Sequence, residues 1–404
     1  MMKIDWHRPA HPTSVAETTS VLRKRRPITR PPSGLESAGE LAFDAPRTNS
    51  ATEHEQVERL SDALASVKSP VPAADTADAH ENVVAGARSG LAKLNQGESP
   101  ANFTFGEHVG LEAVIITNGQ RPSLFIRDGF VDLHSPDIGE WEMGLARFES
   151  KIRQVITSVG RIDIPVRPWF VGTCFVISDG LVLTNRHVLE VIATQDSAGA
   201  WALKWPQATT VDFVGEDGAT TATKFKITGV AFAGPDPINE TLNFAHLDIA
   251  VLRVDPASDA AHTFPEAVTF ETDVAQPKAE SDLYVVGFPG QPGVWLFNGV
   301  PMTGTETTQV ISTIFNSKFG IKRLAPGSIK AGPGQVASDS KSWICAHDAS
   351  TLGGNSGSCV ADLSGDGFRV VALHFAGVNR EQNWAHVAAR LHDHLADFSA
   401  TFVA

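Results

Sequence analysis

A chain of 404 residues that is 42% hydrophobic and 20% charged can bury a sizeable core, which excludes a wholly disordered protein and leaves room for one domain of about 200 to 250 residues plus an appendage. Its 46 acidic and 33 basic residues give a formal net charge of -13, which argues against a general nucleic-acid-binding role, since that needs a clustered positive surface. Three cysteines, Cys174, Cys345 and Cys359, are too few and odd in number for a secreted-type disulfide framework, so reduced and buried thiols are expected.

The opening MMKIDWHRPAHPTS lacks the apolar run of a secretory signal. No later stretch reaches the roughly 18 apolar residues of a membrane span, so a cytoplasmic protein is expected. Residues 1–50 are rich in Pro, Ser, Thr, Arg and Glu without hydrophobic period, and read as a disordered arm. The dense basic patch from Arg23 to Arg30 reads as part of that solvated arm rather than as a site for an acidic partner, a membrane or a nucleic acid. Residues 51–109 read as a helical leader: Val57, Leu60, Leu64 and Val67 recur at helical spacing, a second helix runs from about Asp75 to Leu94, and Ser69-Pro70-Val71-Pro72 breaks the two apart into a hairpin.

Residues 110–159 change texture. LEAVIIT and PSLFIRDG read as strands and WEMGLARFESKIRQVITSVG as an amphipathic helix, an ordered lead-in to the next strand at Gly160 to Val166. From about Pro168 the chain becomes a series of β-branched runs punctuated by Gly, Pro, Asn and Asp: TCFVISDGLVLTN, KFKITGVAFAG, DIAVLRVD, LYVVGFPG and RVVALHFAG. That spacing predicts an all-β barrel or sandwich over residues 160–404. Trp384 to Phe398, with Val387, Leu391, Leu395 and Phe398 on one face, predicts a closing helix.

Three segments carry chemistry. In Gly353-Gly354-Asn355-Ser356-Gly357-Ser358 the flanking glycines let the backbone turn tightly and present N–H groups together beside a hydroxyl. Such a hydroxyl needs a base within reach and donors for an oxyanion before it is a useful nucleophile. Upstream, Gly180 to Leu189 is a β-branched strand that delivers His187 at its end. Between them Asp248 opens the apolar run Leu247-Asp248-Ile249-Ala250, a buried carboxylate that is costly unless paired, and an imidazole N–H suits it. Gly287-Phe288-Pro289-Gly290 reads as a turn leaving a barrel strand. His392-Asp393-His394 lacks the spacing of a helical metal site and reads as a solvated helix face. The chemistry requires neither cofactor nor metal.

Thr184-Asn185-Arg186-His187, Leu247-Asp248-Ile249-Ala250 and Gly354-Asn355-Ser356-Gly357-Ser358, spaced 61 and 108 residues apart at the key positions, resemble the signature segments of trypsin-like serine peptidases in the order His, Asp, Ser. The resemblance implies a mainly β, chymotrypsin-like double β-barrel with a C-terminal helix, preceded by a partly disordered, partly helical N-terminal region. It implies catalysis through an acyl-enzyme, with Ser356 as nucleophile, His187 as base, Asp248 orienting the imidazole, and the Gly354 and Ser356 N–H groups as oxyanion hole. Ser350-Thr351-Leu352-Gly353-Gly354-Asn355-Ser356-Gly357-Ser358 and His374 are further similar to bacterial glutamyl endopeptidases, which implies that Ser350, Thr351 and His374 line a pocket for an acidic side chain before the cut. The chain departs from those enzymes in its long leader and in having Val188 rather than Cys after His187. Residues 1–159 are expected to regulate the enzyme or to recruit a protein partner. The rival readings are a catalytically silent barrel that binds peptides and a nucleic-acid-associated regulator working through the basic arm.

Overall fold

The computed structural model describes residues 50–66, 73–96, 98, 104, 107, 121–167, 169–238, 243–290, 295–297, 300–302, 318–336, 338–351, 354–378 and 382–403. The basic arm, the Pro70 break, the LEAVIIT run, and Leu352 and Gly353 before the Ser356 turn lie outside them. The leader helices form where the periodicity places them, α1 (Ser50–Ser66) and α2 (Ala73–Asn95), and they bury Val57, Leu60 and Leu64 on one and Val83, Ala87 and Leu91 on the other. Glu107 ties the following segment to α2, accepting from the Ser89 hydroxyl at 2.6 Å, Lys93 Nζ at 3.1 Å and the Thr104 N–H at 2.7 Å. Those donors hold its carboxyl near 2, although burial alone would raise it.

A hairpin of β1 (Leu124–Arg127) and β2 (Phe130–Val131) turns on Asp128 and Gly129, both at positive φ. The amphipathic run that follows is two helices rather than one, α3 (Glu142–Arg147) and α4 (Glu149–Ser158), broken at Phe148, whose backbone leaves the helical region at φ -110, ψ 15. The first barrel then closes from β3 (Val159–Asp163), β4 (Phe170–Ser178), β5 (Leu181–Thr184), β8 (Thr210–Asp212), β9 (Phe225–Ala233) and β10 (Ala250–Asp255). Between its strands lie α5 (Arg186–Ile192) and the short pair β6 (Ala193–Gln195) and β7 (Trp201–Leu203).

After the short strand β11 (Thr269–Glu271), the second barrel runs through β12 (Asp282–Gly287), β17 (Cys359–Asp362), β18 (Arg369–Val378), β19 (Gln382–Val387), β16 (Ile344–His347) and β15 (Arg323–Ala331), closed by pairing of β15 with β12. A small ladder, β13 (Trp295–Phe297) with β14 (Val300–Met302), stands apart in pairing, and β20 (Thr401–Val403) pairs parallel with β11. The closing helix is shorter than the pattern predicts. The α6 helix spans only Ala388–Leu395, because Gln382–Val387 is taken as β19 between β16 and β18, where Trp384, Ala385 and Val387 are buried.

The strands read as continuous apolar runs because both of their faces are covered. Cys174 and Val176 of β4 point into the first barrel while Phe175 and Ile177 point to a core shared with the second, and Leu283 and Val285 alternate with Tyr284 and Val286 in β12. The lead-in belongs to that shared core. Leu124, Ile126, Trp141, Leu145, Ile152 and Ile156 pack with Phe175, Leu183, Tyr284 and Leu324, and β1 pairs antiparallel with β15, Leu124 opposite Leu324. Residues 124–159 are therefore a layer over the two barrels, and a boundary drawn at residue 160 cuts through a single core.

Candidate active site

The β5 strand ends at Thr184, and Asn185 turns the chain into α5, so His187 stands in the first turn of a helix rather than at the end of a strand. That position is what lets Asp248 reach it twice. The Asp248 carboxylate accepts the His187 backbone N–H at 2.9 Å and faces His187 Nδ1 at 2.7 Å, so one side chain both satisfies a free helix N–H and orients the ring. Asp248 is itself held at its backbone. Its carbonyl accepts from Asn185 Nδ2 at 2.9 Å, and its N–H donates to His386 Nε2 at 3.1 Å.

Ser356 sits half-exposed on a turn clamped between the barrels. The Thr173 N–H of β4 donates to the Ser356 carbonyl at 2.8 Å, and across the turn Gly357 and His374 of β18 are joined by a 3.0 Å bond from N–H to carbonyl. The Thr173 hydroxyl donates to the Gly354 carbonyl at 2.7 Å and accepts the Phe288 N–H at 3.2 Å. Gly354 takes φ +94, and a Cβ there would stand 2.6 Å from the Phe288 carbonyl oxygen and 2.9 Å from the Gly290 nitrogen. A Cβ at Gly287 would stand 2.1 Å from Ser358 Oγ and 2.4 Å from Asn355 Oδ1. The Gly287-Phe288-Pro289-Gly290 turn thus floors the Ser356 turn, a role that its sequence, read as a plain strand exit, does not reveal; two glycines bracketing a Phe-Pro are the available signal.

The segment over 347–351 leads towards the Ser356 turn, and the polar side chains of Ser350 and Thr351 are engaged within the protein. Ser350 Oγ donates to the Arg121 carbonyl at 2.7 Å, Thr351 Oγ1 donates to Asn383 Oδ1 at 2.8 Å, and Asn383 Nδ2 donates to the Ala349 carbonyl at 2.8 Å. His374 Nδ1 and His347 Nε2 lie 3.2 Å apart in a buried pair. The structure therefore joins His187 to Asp248 directly, sets Ser356 between β4 and β18, and brings His374 alongside, with Ser350 and Thr351 bonded behind it.

A trypsin-like peptidase domain matches residues 172–373, the span that holds His187, Asp248 and Ser356. The chain belongs to the trypsin-like peptidases. A probable serine protease of Lysobacter enzymogenes is 32% identical over 338 residues, 80% of this chain and 84% of that one. Among solved structures, the active form of the Rv3671c protease from M. tuberculosis is similar at 21% identity and a TM-score of 0.34, over 64% of this chain and 85% of that one. A mutant, inactive form of the same protease matches at 19% identity and a TM-score of 0.34, over 63% and 89%. The protein is a serine peptidase, a hydrolase acting on peptide substrates.

Three histidines of this trypsin-like peptidase are buried as neutral rings. Burial pushes His347 and His386 down to about 4, against the opposing pull of Asp348 on the first and Asp248 on the second, and burial together with His347 and His187 holds His374 well below its usual range. Unfolded, all three bind protons near pH 6.5. Between there and about pH 4 the unfolded chain binds more protons than the folded one, so each ring removes up to about 1.4 kcal/mol of stability per pH unit as the pH falls. Burial raises Asp137, Asp163, Asp282 and Asp362, which work in the opposite direction close to the carboxylate range, so the histidines are read best from pH 6.5 to 5. Urea unfolding over that window should show stability falling with pH, with a shallower slope for His386→Asn; a flat or rising profile would contradict buried neutral rings. The three cysteines are unpaired and buried, and burial pushes Cys345 and Cys359 up to about 12 and Cys174 still higher, so they take no part as nucleophiles at neutral pH.

Proposed function

We propose that this peptidase cuts through an acyl-enzyme formed on Ser356, with His187 as general base and Asp248 as its orienting partner, and that it prefers an acidic residue before the scissile bond. The 2.7 Å contact of His187 Nδ1 with the Asp248 carboxylate carries the first part: it puts the ring proton on Nδ1 and leaves Nε2 basic, the tautomer that can take a proton from a serine hydroxyl. Proton transfer frees the Ser356 oxygen to attack the carbonyl carbon. The oxyanion is met by the Gly354 and Ser356 N–H groups, and the imidazolium returns its proton to the leaving amine.

The buried His347 and His374 pair supports the acidic preference. His347 Nδ1 has no hydrogen-bond partner among the described residues, and an unmet lone pair costs less than an unmet N–H. That places the His347 proton on Nε2, donating to His374 Nδ1, and leaves His374 with its own proton on Nε2 as a donor for a carboxylate. Burial of His374 also disfavours its charge until a carboxylate arrives to share it. Residues 1–159 we read as regulatory or recruiting, through the leader hairpin and the lead-in packed on the barrels.

Cleavage of an unbiased peptide library by the full chain tests the preference. Cuts should follow Glu or Asp, disappear in Ser356→Ala, and weaken as pH rises through the range in which the bound His374 loses its proton. Cuts dominated by basic or aromatic residues would overturn the acidic pocket.

A further inference from the structure

The run from His347 to Thr351 leads towards the Ser356 turn with most of its side-chain polar atoms bonded, and two of those bonds lead outside the barrels to one residue, Arg121, just before β1. Its guanidinium Nη2 lies 2.5 Å from Asp348 Oδ2, and its backbone carbonyl accepts Ser350 Oγ–H at 2.7 Å. Both side chains are buried, and Arg121 packs over the Trp141 ring with 5.6 Å to its centre. Asp348 carries a second cation, Lys330 Nζ at 2.9 Å, and accepts the Ser328 N–H at 2.7 Å. Asn383 of β19 holds the carbonyl of Ala349 and the hydroxyl of Thr351 from the other side.

We propose that Arg121 is a positioning residue for substrate recognition: it braces residues 348 and 350 at once, by side chain and by backbone, so that the chain entering β1 is a working part of the wall formed by 347–351. This rests on the acidic pocket proposed above. Two consequences separate it from a purely structural role. Without Arg121, Asp348 keeps one cation instead of two, and its less compensated negative charge stands next to His347 and behind the proposed carboxylate site, so acidic substrates suffer more than neutral ones. Ser350 also loses the carbonyl it bonds if the segment shifts, which moves the wall but not the pair of His187 and Asp248, whose bonds involve neither residue.

The experiment compares the full-length wild type with Arg121→Met and Arg121→Lys, measuring kcat and KM on peptides matched except for Glu or Ala before the cut, and the rate at which a small fluorophosphonate labels Ser356. Arg121→Met should raise KM for the Glu peptide by about tenfold or more, change the ratio of Glu to Ala cleavage, and leave labelling within about twofold; Arg121→Lys, which keeps the charge, should recover part of the ratio. Should Arg121→Met fail to fold, Arg121→Lys carries the test through a smaller shift in the same ratio. Labelling at Ser356 with an unchanged ratio and KM in the folded variants would overturn the role of Arg121 alone. A wild type that is neither labelled at Ser356 nor cleaves either peptide would overturn the proposed function and this inference with it.

Discussion

Asp248→Asn should lower kcat by about 10⁴-fold while the protein remains folded. The carboxylate has two clients, the His187 backbone N–H and His187 Nδ1–H, and both are donors. An amide has one oxygen and one NH₂. If the NH₂ faces the ring, Nδ1 must become an acceptor, the proton moves to Nε2, and the base can no longer receive the Ser356 proton. If the oxygen faces the ring, the NH₂ is set against the backbone N–H at the start of α5, and the helix loses its partner there. The first orientation removes the base; the second keeps the tautomer but loses the helix partner, and both lose the negative charge that stabilises the imidazolium, so activity falls in either. Steady-state kinetics on the best library peptide, with circular dichroism to establish folding, checks this; a folded variant within tenfold of the wild type would remove Asp248 from the mechanism.

Gly354→Ala should cost about 10² to 10³ in kcat with KM little changed. The collision is with backbone, the Phe288 carbonyl at 2.6 Å and the Gly290 nitrogen at 2.9 Å, so no side-chain rotation relieves it, and φ +94 is disfavoured for alanine in any case. The peptide must rotate, which carries the Gly354 N–H away from the position proposed for the oxyanion. Gly218→Ala is the control: Gly218 also has positive φ, at +83, but a Cβ there meets nothing within 4 Å. It should cost about 1 kcal/mol of stability and leave kcat unchanged. Equal losses in the two variants would mean that strain, not a lost oxyanion donor, accounts for the effect at Gly354.

An all-β barrel or sandwich is legible in the sequence because its strands carry local signals, β-branched runs bounded by turn residues, as in TCFVISDGLVLTN, where Gly180 takes φ +69 between β4 and β5; the double barrel came from the resemblance. The segments around His187, Asp248 and Ser356 stand out for the same reason, each being a contiguous string of residues whose chemistry makes sense only together. What escaped was set by contacts between distant parts of the chain. Nothing near Leu124 announces that it pairs with Leu324, so residues 124–159 read as a lead-in although they share the barrels' core. Gln382–Val387 has a helical pattern that continues into α6, but it is taken up as a barrel strand between β16 and β18, where Trp384, Ala385 and Val387 are buried. His386 was passed over within that segment, although its Nε2 holds the backbone N–H of Asp248. Arg121 was invisible because its partners, Asp348 and Ser350, lie more than two hundred residues away.

The proposed mechanism depends on Ser356 as a nucleophile activated by His187. Mass spectrometry of the full-length protein after reaction with a fluorophosphonate reads this out. One phosphonyl adduct is expected, located on Ser356, absent from Ser356→Ala and formed far more slowly in His187→Ala. An adduct on another serine, or peptide cleavage by Ser356→Ala at the wild-type rate, would contradict it.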